Sequence, residues 1–285
     1  MRRPCVLSNY RQCPGGKNGD GGAGVRLKRI FGFGDTTLTD PFLLLDHFGS
    51  SDPADYVAGF PWHPHRGIET VTYMLEGLVE HRDSMGNHGT IGAGQVQWMT
   101  AGSGIVHQEM PQATPGTMRG YQLWINLPAT GKMTVPRYRD IRAEDIPVVH
   151  YDGAEVRIIC GTFAGVSGPA RDIIAQPWYF DVQMPPGRSL SLDVDSGDTT
   201  LGFIIEGQGY LDEGKTRLLA HDELAVLTEG DAIRCTAATD GMRLLLMGGK
   251  ALHEPVAWRG PIVMNTDEEL RTAFDELREG TFIKH

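Results

Sequence analysis

The sequence lacks the features that mark nucleic-acid-binding and membrane proteins. It carries 26 Lys and Arg against 36 Asp and Glu, a net charge of −10, with no run of basic residues. Because nucleic-acid binding needs a basic face, direct DNA binding is not expected. No apolar stretch approaches the roughly 20 residues of a membrane-spanning helix. The first residues hold no apolar run long enough for a signal peptide.

Cysteine is also scarce. There are four, scattered along the chain without a CxxC pair, at Cys5, Cys13, Cys160 and Cys235. This usage fits a reduced, cytoplasmic protein.

Glycine and proline, in contrast, are abundant and evenly spread, with 37 and 17 residues. They punctuate runs in which apolar and polar residues alternate, such as Ile68–Leu75 and Tyr121–Leu127. A period of two is typical of β-strands, and many short strands separated by tight turns favour barrels or sandwiches. We therefore predict an all-β protein.

One helix is predicted near the end of the chain. Thr266 and Glu269 have the spacing of a capping box, and Gly280 suits the C-terminal stop. An apolar stripe follows the cap, formed by Leu270, Ala273, Phe274 and Leu277. We expect this helix to pack on the outside of a barrel.

Two weak internal matches indicate a duplicated β-domain. Tyr73–Gly77 (YMLEG) matches Phe203–Gly207 (FIIEG), and Gln97–Gly102 (QWMTAG) matches Ala225–Gly230 (AVLTEG), at nearly equal offsets. Each half has the size of one domain. We predict a first domain over residues 1–165 and a second over residues 166–285 that ends in the helix.

The candidate chemistry lies in two short segments. His63 and His65 are two residues apart, and the spacing recurs as His107 and Glu109. Residues two apart on a strand share a face, with Cα atoms roughly 6.5 Å apart, so each pair can converge on one ion. A lone pair of histidines often arises by chance. The second pair makes a metal site the better interpretation.

The same segments carry a resemblance to a known family. HPHRGIETVTYMLEG and GQVQWMTAGSGIVHQEMP resemble the signature of the pirins, a branch of the cupins, and the resemblance extends to Pro41–Gly49, Gly120–Pro128 and Glu254–Leu270. It implies two stacked cupin barrels with metal only in the N-terminal one. Matched residue by residue, it implies four metal ligands: His63, His65, His107 and Glu109.

A second carboxylate competes with Glu109. In the general cupin pattern a glutamate four residues after the second histidine is a ligand, and here that residue is Glu69. We expect it on the strand face of the two histidines but roughly 13 Å beyond His65, so it needs a bulge, which Gly67 can supply. The resemblance favours Glu109. We expect Glu69 either to contact the metal ligands without binding the metal itself, or to be the carboxylate ligand in place of Glu109.

The donor set narrows the choice of ion without fixing it. Three imidazoles and a carboxylate suit Fe(II), Mn, Co, Ni, Cu and Zn, and we expect one divalent ion, Fe(II) before the others. In the second half, the positions that correspond to the two histidines hold Asp193 and Asp195. We expect the C-terminal barrel to bind no metal.

Aromatic and thioether side chains flank the ligand segments and can line an apolar pocket: Trp62, Trp98, Met99 and Trp124. Packing in the barrel core explains each of them equally well. His47 is expected at the pocket mouth or as a loop cap.

The resemblance also implies a function. Some pirin-like proteins open flavonols such as quercetin with dioxygen, so we expect a metal-dependent quercetin 2,3-dioxygenase-type oxidoreductase, with a small aromatic substrate and Glu109 as general base. The alternative is a metal-dependent regulatory protein that contacts transcription factors or metabolic enzymes. A barrel with a purely structural metal is the third hypothesis. A monomer is expected in each case.

Overall fold

The computed structural model describes residues 4–7, 24–227 and 230–285. These residues form two compact units. Barrel A comprises residues 24–36, 42–143 and 252–285, and barrel B comprises residues 4–7, 37–41, 144–227 and 230–251. Nearly all regular structure is antiparallel β-sheet, which confirms the predicted all-β class.

In chain order the strands are β1 (Pro4–Leu7), β2 (Leu27–Phe31), β3 (Phe42–Ser50), β4 (Phe60–His65), β5 (Ile68–Glu76), β6 (Leu78–Asp83), β7 (His88–Gly92), β8 (Val96–Thr100), β9 (Ile105–Pro111), β10 (Met118–Asn126), β11 (Arg137–Ile141), β12 (Val148–Tyr151), β13 (Ala154–Cys160), β14 (Thr162–Phe163), β15 (Val166–Ser167), β16 (Trp178–Met184), β17 (Ser189–Asp193), β18 (Asp198–Tyr210), β19 (Leu219–Ala220), β20 (Leu224–Leu227), β21 (Ala232–Lys250), β22 (Ala257–Arg259) and β23 (Ile262–Met264). The α-helices are α1 (Thr36–Thr39) and α2 (Asp267–Glu279).

Barrel A is built from two sheets and a hairpin. One sheet has the order β11-β8-β5-β10-β3-β2, the other has the order β4-β9-β6-β7, and β22 pairs with β23. The sheets pack on each other through apolar side chains from both, among them Leu44, Ile68 and Ile105 in one cluster and Phe48, Met74 and Val79 in another.

Strand β5 shows how the alternation is used. Ile68, Thr72 and Met74 lie on one face of the strand. Ile68 and Met74 on this face pack in the core between the sheets. Val71 and Tyr73 point the other way and are also buried. The central strand is therefore covered on both faces, whereas the sequence pattern alone predicted one apolar face and one polar face.

Barrel B is built from one nine-stranded sheet around an apolar interior, with β14 and β15 as a separate pair. Its sheet has the order β1-β20-β18-β21-β16-β13-β12, with β17 on β21 and β19 on β18. The matched segments occupy equivalent places, because β5 lies between β8 and β10 while β18 lies between β20 and β21. The interior is lined by buried apolar side chains, including Ile158, Phe180, Ile204 and Leu244.

The end of the chain returns to barrel A. Helix α2 has the predicted capping box between Thr266 and Glu269, and Gly280 closes it in the left-handed conformation. Its apolar face packs with Phe282, the β22–β23 hairpin and Val106 of β9. The units therefore differ from the predicted division at residue 165, since a buried apolar cluster ties residues 252–285 to the first barrel.

No helix among the described residues is long and apolar enough to span a bilayer. Cys160 and Cys235 are buried thiols. Cys13 and the side chain of Cys5 lie outside the described residues.

Candidate metal centre

Strands β4 and β9 bring the two predicted pairs together. They are antiparallel neighbours in which His63 lies directly opposite His107, and His65 opposite Ile105. Since residues two apart share a face, His63 and His65 both point toward His107. The ring centroids are 4.9 Å apart for His63 and His65, 4.4 Å for His63 and His107, and 5.1 Å for His65 and His107.

These three imidazoles can hold a metal ion. One nitrogen from each lies within 4.8 Å of the other two. Within residues 24–227 and 230–285, no other group of three or more His, Cys, Asp or Glu side chains has this geometry. His65 and His107 are buried, and His63 is half-buried. The geometry suits a metal coordinated from one side of a cavity.

Burial sets the protonation state of two of the three imidazoles. Desolvation, followed by the charges of the neighbouring imidazoles, holds the pKa of His65 and His107 well below the usual 6.5. Both rings are therefore neutral near pH 7, which is the form of histidine that coordinates metals.

Backbone carbonyls orient two of the rings. His63 Nδ1 lies 2.8 Å from the Pro61 carbonyl oxygen, and His65 Nδ1 lies 3.1 Å from that of Pro261. A carbonyl only accepts hydrogen bonds, so each Nδ1 donates and each Nε2 keeps a free lone pair. This tautomer is common in metal-binding histidines.

His107 supplies a test of whether a metal fits. Both of its ring nitrogens are fully buried, and neither has a hydrogen-bond partner among the described residues. A buried polar nitrogen without a partner costs about 1–3 kcal/mol. Coordination of an ion by one nitrogen removes part of that cost, so the donor set fits a divalent metal.

Glu109 lies beside the cluster and is held by two side chains. Its Oε1 accepts a hydrogen bond of 3.0 Å from Thr72, and the Gln122 amide donates to Oε2 at 3.0 Å and to Oε1 at 3.3 Å. The Gln122 carbonyl in turn accepts from the Trp124 indole at 3.1 Å. The carboxylate is buried and lines the same cavity as His63 and His65.

The prediction that Glu69 shares a strand face with the histidines is wrong. The chain turns at Gly67, which has φ of 78°, so β4 ends at His65 and Glu69 lies on β5 in the other sheet. There it points to the face opposite Thr72 and accepts a hydrogen bond of 2.8 Å from Thr100. Burial raises the pKa of Glu69 to about 7.

His63 and His65 open into a cavity of about 670 Å³, within the usual range for ligand pockets. Two of the predicted pocket residues, Trp62 and Trp124, line it. Trp98 and Met99 are buried in β8 and His47 lies in β3, and these three do not line it.

The strand period explains these placements. The face of β3 that carries Leu44, Asp46 and Phe48 lines the cavity, so His47 points away and stacks on Tyr121 at 4.8 Å. Met99 packs in the core between the sheets, and Trp98 takes the opposite face of its strand. The prediction of His47 at the pocket mouth is therefore not matched by the structure.

Several residues that line the cavity could not be predicted from the histidine motifs. Arg29 and Asp46 form a bidentate ion pair, with hydrogen bonds of 2.8 Å, on one wall. Trp258 and Pro261 come from the C-terminal hairpin. Trp258 lies within a family-like segment, but only the tertiary fold brings it to the site.

A double-sheet β-barrel with three converging histidines, two of which line its cavity, is the architecture of a cupin metal-site protein. The family profile described as Pirin matches residues 24–125, and that described as Pirin C-terminal cupin domain matches residues 179–283. The chain belongs to the pirin family, as the sequence resemblance implied, and both barrels are cupins.

Relatives support this assignment along nearly the whole chain. A pirin-like protein of Caulobacter vibrioides is 45% identical over 268 residues, covering 92% of this chain and 94% of the relative. Pirin-1 of Arabidopsis thaliana is 40% identical and covers 86% and 84%. A crystal structure of quercetin 2,3-dioxygenase from Acinetobacter baumannii superposes with a TM-score of 0.86 at 34% identity, with 98% of each chain covered.

Proposed function

We propose that this protein is a metal-dependent dioxygenase with quercetin 2,3-dioxygenase-type activity on flat, flavonol-like aromatic molecules. The observation that carries the proposal is the convergence of three imidazoles, those of His63, His65 and His107, beside a cavity lined in part by aromatic side chains. The structural relative named quercetin 2,3-dioxygenase supports the same reaction class.

In this proposal, the metal is held by His63, His65 and His107, with Glu109 as the fourth ligand and Fe(II) as the expected ion. When bound, such an ion supplies Lewis acidity toward a substrate hydroxyl and one-electron exchange with dioxygen. The protein's contribution is to keep His65 and His107 neutral and to orient the rings of His63 and His65.

Glu109 is the proposed proton acceptor. A flavonol hydroxyl that enters the cavity loses its proton to a carboxylate oxygen of Glu109, which leaves an electron-rich enolate for reaction with oxygen. Thr72 and Gln122 fix the carboxylate before substrate arrives. The bond from Trp124 fixes which end of the Gln122 amide faces Glu109.

The cavity walls suit a planar ring system. Trp124 is tilted against Trp258 with ring centroids 6.0 Å apart, and Phe33 lies 5.5 Å from Trp258. Trp62 and Phe33 are more than half exposed at the rim, with 53% and 69% of their surface accessible. Burying these exposed rings against a flat ligand supplies binding free energy and displaces water from the reaction site.

The test is elemental analysis of untagged protein combined with oxygen uptake in the presence of quercetin. We expect close to one equivalent of divalent metal, lost in His63→Ala and retained in the matched control His88→Ala, since His88 is exposed at the start of β7. Glu109→Gln is expected to lower quercetin-dependent oxygen uptake at least about 100-fold.

Two results would count against the proposal. Metal-loaded protein that consumes no oxygen with any flavonol, beside an active pirin in the same assay, contradicts the enzymatic function and favours the regulatory alternative. Wild-type protein that takes up no metal after reconstitution contradicts the site itself.

A further inference from the structure

We propose that the β22–β23 hairpin near the end of the chain is a positioning element of the metal site, and that it acts through the Pro261 carbonyl. The inference rests on the proposed three-histidine site. It assigns to residues 257–264 the task of setting the tautomer and direction of His65.

The direct contact is the hydrogen bond from His65 Nδ1 to the Pro261 oxygen, at 3.1 Å. It consumes the proton-bearing nitrogen and leaves Nε2 as the lone pair available to an ion. Partners of this kind typically contribute 10- to 100-fold to metal affinity. His65 is 2% exposed, which limits the access of bulk water to this hydrogen bond.

The hairpin also holds the backbone that follows His65. Ile262 bridges Arg66 in parallel register, and the Val263 N–H donates to the Arg66 carbonyl at 3.1 Å. Lys132 joins the next residue to the same strand, with Nζ donating to the Gly67 carbonyl at 2.9 Å and to the Val263 carbonyl at 3.0 Å. The turn after the ligand strand is therefore built against β23.

The side chain of Arg66 connects the turn after β4 to the segment that follows the hairpin. It is 2% exposed, pairs with Glu276 of α2 at 2.7 Å, donates to the Phe282 carbonyl at 2.9 Å and lies 4.2 Å from the Phe282 ring centre. Residues 65 and 66 thus contact the C-terminal segment directly, and Gly67 is linked to it through Lys132.

His63 provides an internal comparison. Its acceptor is the carbonyl of Pro61, two residues earlier on the same strand. The orientation of His63 is consequently local, whereas that of His65 depends on a distant part of the chain. A disturbance of the hairpin should change His65 and leave His63 unaltered.

The first measurement is the tautomer of each histidine in metal-free protein, from long-range proton–nitrogen correlations of ¹⁵N-histidine-labelled samples. We expect His65 in the Nδ1–H form. A His65 in the Nε2–H form overturns the proposal. This result depends on neither metal content nor turnover, so it stands apart from the test of the dioxygenase function.

The second measurement replaces Ile262 by its α-hydroxy acid, which turns the Pro261–Ile262 amide into an ester, removes the Ile262 N–H and weakens the Pro261 carbonyl as an acceptor. The same change at Arg259, the pairing partner of Ile262 in the hairpin, is the matched control. Affinity for Ni²⁺ is measured by competition with a chromophoric chelator. We expect about 10- to 100-fold weaker binding in the Ile262 ester than in the control, and affinities within twofold of each other overturn the proposal.

Discussion

Glu69 offers the sharpest test of the electrostatics inside barrel A. It is fully buried on β5, accepts one hydrogen bond from Thr100, and faces away from the proposed metal site. Burial raises its pKa from 4.5 to about 7, against the opposing effect of that hydrogen bond. Glu69→Gln keeps the shape and the acceptor oxygen but cannot ionise.

The sign and size of the effect follow from proton linkage. The folded-state pKa lies above the unfolded value, so between pH 4.5 and about 7 the folded protein binds a proton that the unfolded chain does not. The contribution of Glu69 to stability is complete below pH 4.5 and is lost as the pH rises to about 7. At about 1.36 kcal/mol for each pKa unit, the loss is about 3 kcal/mol.

The assay is urea unfolding of metal-free protein followed by tryptophan fluorescence, which reports mainly on barrel A. Four of the five tryptophans lie there: Trp62, Trp98, Trp124 and Trp258. We expect Glu69→Gln to match the wild type near pH 4.5 and to exceed its free energy of unfolding by about 1–3 kcal/mol at pH 8. Glu76→Gln, an exposed carboxylate on the same strand, is the matched control. Parallel curves for wild type and Glu69→Gln would refute the reasoning.

Three further outcomes are expected. Gln122→Leu removes the amide that donates to Glu109, so kcat for flavonol cleavage should fall at least about 10-fold at unchanged metal content; an unchanged kcat contradicts the role given to Glu109. In Gly67→Ala the new Cβ would lie 2.0 Å from the Val263 carbonyl oxygen at a positive φ, so unfolding should become easier by about 3 kcal/mol or more; a wild-type Tm would show that the turn adapts. Thr266→Ala removes the helix cap and should cost about 1 kcal/mol in chemical denaturation; an equal midpoint would mean that α2 is held by packing alone.

Patterns confined to one element could be predicted well from the sequence. The strand period places the two histidines of β4 on one face, and the capping box of α2 is complete as predicted. Both follow from local geometry, because a period of two and a four-residue cap need no knowledge of distant neighbours.

Tertiary placement could not be predicted in the same way. The face that β5 turns toward the histidines depends on the turn at Gly67, which moves Glu69 to the other sheet. For His47 and Trp98, the period separates two faces but does not say which one borders the cavity. Trp258 and Pro261 line the cavity because the end of the chain packs back against barrel A, and no local sequence pattern predicts this packing.

That return has a consequence for how the protein is made. His65 meets its carbonyl partner 196 residues later in the chain. At cellular elongation rates of 5–20 residues per second, the ribosome reaches Pro261 roughly 10 to 40 s after His65. During that interval the Pro261 carbonyl is not yet present to orient the His65 ring. For the proposed metal site, we therefore expect tight metal binding only after the segment that carries Pro261 has left the ribosome.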